Sequence, residues 1–179
     1  MDETNSSSGK PSLDQIGIVV RDLHSMVATL EQIFGFKDFR VMEWPIEGID
    51  SQATYHGEPG NYRMLLAFAT IGKTQIEIIQ PLDGENIYSD FLEEHGPGIH
   101  HFRLTVPDFE ERGANLEARG INKIASGTGV HVGSKWAYFD TSEVLEGVIV
   151  ELRKRLDDAG GEGQWVQSIQ LPTSPRDEQ

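Results

Sequence analysis

The sequence predicts an α+β fold of two βαβββ modules related by internal pseudo-twofold symmetry, and three observations carry that expectation. The stretch DQIGIVVRDLHSMVATLEQIFGF from Asp14 lies over HHFRLTVPDFEERGANLEARGI from His100 at a constant offset of 86. In each copy a period-2 strand pattern gives way to helical spacing. Each copy is too small to bury a core by itself, whereas two sharing one sheet system in a 179-residue chain are not.

Taken in order, Ile16, Ile18 and Val20 alternate with Gly17 and Val19 as one strand, and Leu104 and Val106 fall on Ile18 and Val20 in the second copy. Asp22 and Asp108 stand where a helix N-cap is expected. Leu23, Met26, Val27, Leu30, Ile33 and Phe34 form one helical face, and Gly35 is a natural stop. The second helix has a weaker face, Phe109 and Leu116, and ends at Gly120. Residues 36–56, 62–69 and 74–80 read as the remaining strands of the first copy, and 121–126, 135–140 and 147–153 as those of the second. Between the copies, residues 85–95 (ENIYSDFLEEH) read as a linking helix that buries Ile87, Phe91 and Leu92. The expected organisation is one domain over 13–155, with modules 13–81 and 98–153 either side of that helix.

Composition narrows the function. The chain has a formal charge of −14, with the N-terminal twelve residues carrying −1 and residues 156–179 carrying −4, which leaves −9 on the fold. Both ends are Ser/Gly/Pro-rich and read as flexible, although Trp165, Val166, Ile169 and Leu171 could pin the acidic tail to a surface. An acidic fold is a poor partner for nucleic acid or an anionic membrane face. There is no run near the roughly 20 apolar residues of a membrane span and no apolar leader, so a soluble cytoplasmic protein is the expectation. Zero cysteine excludes disulfides, thiolate zinc sites and cysteine nucleophiles. A metal here must be held by oxygen and imidazole.

Four polar residues break the strand patterns at matched places. Gln15 and His101 open the first strands of the two copies, and Glu77 and Glu151 sit inside the apolar runs of the last strands. A carboxylate centred in an apolar strand is costly unless paired, hydrogen-bonded or bound to a cation. If the symmetry brings the copies together, one amide oxygen, two carboxylates and one imidazole converge as a shell for one divalent metal. Zinc is the expected ion, and nickel, cobalt, manganese or iron suit the same donors. The plain alternative places each glutamate on a solvent face, since every second strand residue points outward.

The chain resembles the vicinal oxygen chelate superfamily, which includes glyoxalase I, methylmalonyl-CoA epimerase, extradiol dioxygenases and antibiotic-resistance proteins. The resemblance rests on LDQIGIVVRDL (Leu13–Leu23), TQIEIIQPL (Thr74–Leu82), FLEEHGPGIHHFRLTV (Phe91–Val106) and GVIVEL (Gly147–Leu152), and is strongest toward epimerase-like and glyoxalase I-like members. It implies a glyoxalase-like fold, with Gln15, Glu77, His101 and Glu151 at the four metal-ligand positions. Gln15 stands where epimerases and dioxygenases have histidine, so the two-His-one-carboxylate triad is incomplete and ring cleavage is disfavoured. The order Gln, Glu, His, Glu is that of eukaryotic-type glyoxalase I, while the flanks around Glu77 and the segment from Trp44 to Tyr62 are not.

The implied activity is a metal-dependent isomerase or lyase. It would move a proton next to the carbonyl of a small-molecule substrate through a metal-stabilised enediolate or enolate. Glu151 is the first choice of base and Glu77 the second; Glu43, Glu47 and His56 are alternatives. Arg63, Tyr138 and His131 are candidates for substrate contact, and His100, next to His101, should point to the opposite strand face. The competing class is a metal-free small-molecule binding protein of the resistance type, which has no need of four ligand positions. A homodimer is implied by the resemblance alone.

Overall fold

The computed structural model describes residues 10–48, 50–129 and 133–154. The predicted acidic tail, its Trp165–Leu171 apolar group and His131 lie outside the described residues. In chain order the first module supplies β1 (Ser12–Val19), α1 (Leu23–Phe34), β2 (Arg40–Trp44), a short hairpin of β3 (Thr54–Tyr55) and β4 (Glu58–Pro59), β5 (Arg63–Ile71) and β6 (Thr74–Asp83). After α2 (Ile87–Glu94) the second supplies β7 (Gly98–Val106), α3 (Phe109–Glu117), β8 (Lys123–Thr128), β9 (Lys135–Phe139) and β10 (Ile149–Lys154). The architecture is α+β. None of these helices is long and apolar enough to cross a membrane.

All described strands join one mixed sheet, in the order β2-β5-β6-β1-β7-β10-β9-β8-β3-β4. At its middle β1 pairs antiparallel with β7, while β6 runs parallel beside β1 and β10 parallel beside β7. The sheet curls into a half-barrel. β5 and β9 are five strands apart in that order, about 24 Å if the sheet were flat. Yet Met64 and Leu66 of β5 and Tyr138 of β9 belong to one buried cluster and line one pocket.

The helices cover the convex side. Leu23 and Val27 of α1 pack on Val20, Ile78 and Ala67, and Phe109 and Leu116 of α3 lie against the Val106, Phe139, Val150 and Leu152 cluster. Helix α2 instead joins the concave cluster through Ile87 and Tyr88, with Phe91 and Leu92 packed beside them. The predicted apolar face of α1 runs past the core, for Ile33 and Phe34 are exposed. Gly35 ends the helix in the left-handed conformation, as read from the sequence.

Two expectations are corrected. The run 36–56 is not one strand: only Arg40–Trp44 pairs with β5, and Pro45 then ends that pairing. The following segment crosses to the far edge, where Thr54 pairs with Ser126 of β8 and shares a 2.8 Å hydroxyl contact with it. Asp108 does not cap α3, because Arg112 takes both its oxygens at 3.1 and 2.9 Å. Asp22 does cap α1, accepting from Ser25 N at 2.9 Å, while Gln80 accepts from Leu23 N. Asp22→Ala is therefore expected to lower stability by about 1 kcal/mol. Asp108→Ala should cost about 0.5 kcal/mol or less, the worth of a helical i,i+4 pair. Urea unfolding midpoints measure the difference.

Candidate metal centre

The four central strands bring the four predicted residues together. Gln15 lies beside Arg103 of β7, and Arg103 beside Glu151 of β10, while Gly17 lies between Glu77 of β6 and His101 of β7. Partners in register project to the same side, so both rows face the concave surface. Gln15, Glu77, His101 and Glu151 are 1%, 8%, 0% and 5% exposed. The solvent-face alternative for the glutamates is thereby removed.

The donor atoms of Glu77, His101 and Glu151 all lie within 4.8 Å of one another. His101 Nε2 is 3.4 Å from a Glu77 oxygen and 3.5 Å from a Glu151 oxygen, in ion-pair range but without a hydrogen bond to either. Gln15 donates from Nε2 to Gln75 Oε1 at 2.7 Å, which leaves its own Oε1 for the pocket. Among the described residues the buried side-chain atoms without a hydrogen-bond partner are Gln15 Oε1, His101 Nε2 and Glu151 Oε2. Unsatisfied buried acceptors are destabilising. A proton on His101 satisfies one of them, whereas a cation satisfies all three. One nitrogen and several oxygens suit zinc and its first-row neighbours, so the residues fit a divalent metal.

Two local devices seat His101. A Cβ built on Gly17 would lie 1.9 Å from His101 Cε1 and 2.4 Å from its ring nitrogens, so the imidazole occupies the space a side chain would take. The register also shifts between Gly17 and Ile18, so that β7 carries one extra residue, His100. A bulge re-aims side chains. His100 is consequently buried on the same side as His101, their Nδ1 atoms 3.0 Å apart. This corrects the expectation that strand alternation sends His100 to the opposite face. Tyr88 and Phe91 of α2 pack edge-on against its ring. If His101 Nδ1 donates to His100, Nε2 is left as a lone pair for a metal.

The two imidazoles titrate in opposite directions. Burial holds His100 well below the ordinary value of 6.5, with the neighbouring His101 adding to the effect. For His101 burial also acts downward, but Glu151 and Glu77 outweigh it and raise the group above 6.5. In the metal-free chain His101 adds stability that is full below the ordinary value and lost as pH rises through its raised pKa. His100 withdraws stability as pH falls below 6.5, since the unfolded chain then binds a proton that the folded chain refuses. A metal must displace the His101 proton. Its apparent affinity is therefore expected to rise with pH, by up to about tenfold per unit while that proton is present. Calorimetric titration at pH 6, 7 and 8 in buffers of differing ionisation heat reads both the affinity and the proton released.

The pocket above this cluster has a volume of about 120 Å³. Met64, Leu66, Phe68 and Trp44 form one wall and Trp136 and Tyr138 another. Tyr138 stands edge-on to His101 at 4.9 Å, its phenol kept protonated by burial and by the Glu151 charge. Arg63 does not line the pocket; it is held at the surface by Glu43, at 2.7 Å from Nε, and by Asp83 at 2.8 Å. Glu43, Glu47 and His56 do not line it either, which leaves Glu77 and Glu151 as its carboxylates among the described residues. Sequence reasoning missed Gly17, Gln75, Arg103 and Arg153. Gln75, Arg103 and Arg153 are each two residues from a predicted ligand, and strand alternation places such neighbours on the same face.

Comparison with known proteins agrees with this fold. The sequence model of the glyoxalase/bleomycin resistance protein/dioxygenase superfamily matches residues 14–139. Human mitochondrial methylmalonyl-CoA epimerase is 22% identical over 143 residues, which cover 79% of this chain and 73% of the human protein. A hypothetical protein from Bacillus halodurans has a similar structure, with a TM-score of 0.61 and 25% identity over 85% of this chain and 99% of that one. Methylmalonyl-CoA epimerase from Mycobacterium tuberculosis superposes with a TM-score of 0.57 and 23% identity, covering 80% and 87%. With its ten-stranded curled sheet and the family match over most of the fold, the chain belongs to the glyoxalase/bleomycin resistance protein/dioxygenase superfamily.

Proposed function

We propose that this protein is a metal-dependent isomerase of the epimerase type, moving a proton on the carbon beside a carbonyl group. The observation that carries the reading is the set of buried, partnerless acceptors, Gln15 Oε1, His101 Nε2 and Glu151 Oε2: Gln15, Glu77 and Glu151 line one pocket, and His101 Nε2 lies 3.4 and 3.5 Å from the two glutamates. Gln15, Glu77, His101 and Glu151 hold the metal, with zinc the first choice of ion. A divalent cation at that place supplies Lewis acidity toward a substrate carbonyl and counter-charge for the enolate that proton removal creates.

The chain's own residues do the rest. Gln75 fixes the Gln15 amide, and His100 and Gly17 fix the His101 ring. Glu77 and Glu151 come from β6 and β10, on either side of the central β1–β7 pair. A carbon acid lying between them meets a carboxylate on each face. Glu151, entering as the carboxylate, takes the proton from one face, and Glu77, entering as the neutral acid, gives its own proton to the other, which inverts the centre and leaves Glu151 protonated and Glu77 ionised. The apolar wall of Trp44, Met64, Leu66 and Phe68 limits water at the carbanionic carbon. The similar proteins named methylmalonyl-CoA epimerase support a substrate of the acyl-thioester kind. The ligand order Gln, Glu, His, Glu favours, as a second reading, a glyoxalase-type hydroxy-ketone isomerisation. A homodimer belongs to the same proposal.

The test is solvent deuterium exchange followed by NMR, with the zinc-loaded protein and a panel of α-hydroxy ketones, 2-oxo acids and branched malonyl-type thioesters. Exchange at the carbon next to the carbonyl of at least one class is expected, and chelator should abolish it. No exchange into any class would refute proton-transfer chemistry.

A further inference from the structure

Beyond the four ligands the pocket contains charge that the proton transfer does not use. Arg103 and Arg153 both line it, each two residues past a ligand, His101 on β7 and Glu151 on β10. The two guanidiniums are not equally supplied with acceptors. Arg103 is buried and donates from Nε to Asp14 Oδ1 at 2.9 Å, and Thr105 donates its hydroxyl to the other oxygen of Asp14 at 2.6 Å. Both oxygens of Asp14 are thus engaged by that pair of neighbours. Arg153 is half-buried and makes no hydrogen bond or salt bridge with any described residue. Its register partner on β9 is Trp136, whose ring nitrogen donates to Thr128 O and offers no acceptor. The next lining residue, Lys135, is a second cation, its Nζ 3.4 Å from Glu110 at the surface.

The charges in the pocket are unevenly matched. In the proposed reading the Glu77 and Glu151 side chains face the cation, and Arg103 is paired with Asp14. Arg153 feels the charges of Asp14 and Glu151 without bonding to either, and among the described residues its five donors have no acceptor, in a position where water is partly excluded. Its Cα lies about 7 Å beyond that of Glu151 along the strand. A guanidinium held there binds a planar oxyanion with two parallel hydrogen bonds.

Building on the metal-centred reading above, we infer that Arg153 forms an anion subsite of the pocket, so that the substrate is a carbonyl compound bearing a carboxylate remote from the reacting carbon. One end of the molecule lies on the metal ligands and the carboxylate lies on Arg153, with Lys135 adding longer-range attraction. The reacting carbon is then held between Glu77 and Glu151 by contacts at both ends, and neutral carbonyl compounds of equal size are rejected because they leave the guanidinium without a partner.

The probe pair is 2-oxoglutarate and its 5-methyl ester, which share the vicinal oxygens and differ in the remote charge. Calorimetry on the zinc-loaded full chain is expected to show the dicarboxylate binding about 10-fold to 100-fold tighter than the ester. Arg153→Gln should erase that preference while leaving zinc affinity and ester binding in place, and Arg153→Lys should restore part of it. The wild-type preference is read without any variant, so a folding defect in Arg153→Gln does not blunt the test. Equal binding of the two probes by a protein that does bind zinc would overturn the anion subsite and leave the metal centre standing. The carboxylate subsite is also overturned if Arg153→Gln weakens binding of free coenzyme A but not of the dicarboxylate, because the oxyanion held is then a carrier's phosphate. Failure to bind zinc at all would overturn both.

Discussion

Glu151→Gln is expected to lower the rate of proton exchange by about 10²-fold to 10⁴-fold, the usual contribution of a positioned general base. The substitution separates the two roles proposed for Glu151. In the proposed ligand set the Gln15 amide oxygen is already one of four donors, so a second amide would keep a ligand oxygen in place while abolishing the basic carboxylate. Zinc should still bind, more weakly because one negative charge is gone. Removing that charge also relieves part of what raises His101, whose pKa should fall toward the ordinary histidine range. Exchange kinetics and a zinc titration on the same preparation read both effects. Exchange at the wild-type rate in Glu151→Gln would assign the base elsewhere, with Glu77 the next residue to test.

Gly17→Ala is expected to disable the centre without touching a ligand. The added methyl would fall 1.9 Å from His101 Cε1, far inside contact distance, and His101 itself is 0% exposed with Tyr138 against its ring. The ring has little space to retreat into, so either it swings off the site or β1 moves away from β7. Overpacking of this kind costs about 1–3 kcal/mol of stability. Zinc affinity should fall by at least the roughly 10-fold to 100-fold seen when a ligand loses an outer support. Thermal unfolding of the metal-free protein separates the two effects. A variant with wild-type zinc affinity would mean that the ring position is not what Gly17 secures.

Much of this was legible in the chain because the repeat itself encodes it. The offset of 86 lays Gln15 on His101, Glu77 and Glu151 correspond as the carboxylates of the last strand in each copy, and period-2 alternation is enough to predict a shared face. What escaped has specific physical causes. His100 and His101 share a side only because β7 bulges opposite Gly17, and pattern reasoning assumes an unbroken ladder. Asp22 and Asp108 are equivalent in sequence, yet Arg112, four residues on, draws Asp108 away from the helix end. The 45–62 segment has no counterpart in the second copy, so nothing in the repeat announced that Thr54 would pair with β8. Arg63 is the arginine the sequence singles out for substrate contact; its separation from the pocket depends on Glu43 and Asp83 meeting it across strands.

Titration of zinc into the metal-stripped protein tests the central claim most directly. One equivalent per chain should bind, with protons released, and His101→Ala should weaken binding by more than the roughly 100-fold expected from loss of an outer partner. Cobalt in place of zinc should give a spectrum of nitrogen and oxygen ligation that changes in Glu77→Gln and Glu151→Gln. No saturable binding, or binding that His101→Ala leaves unchanged, would contradict a metal centre built from Gln15, Glu77, His101 and Glu151.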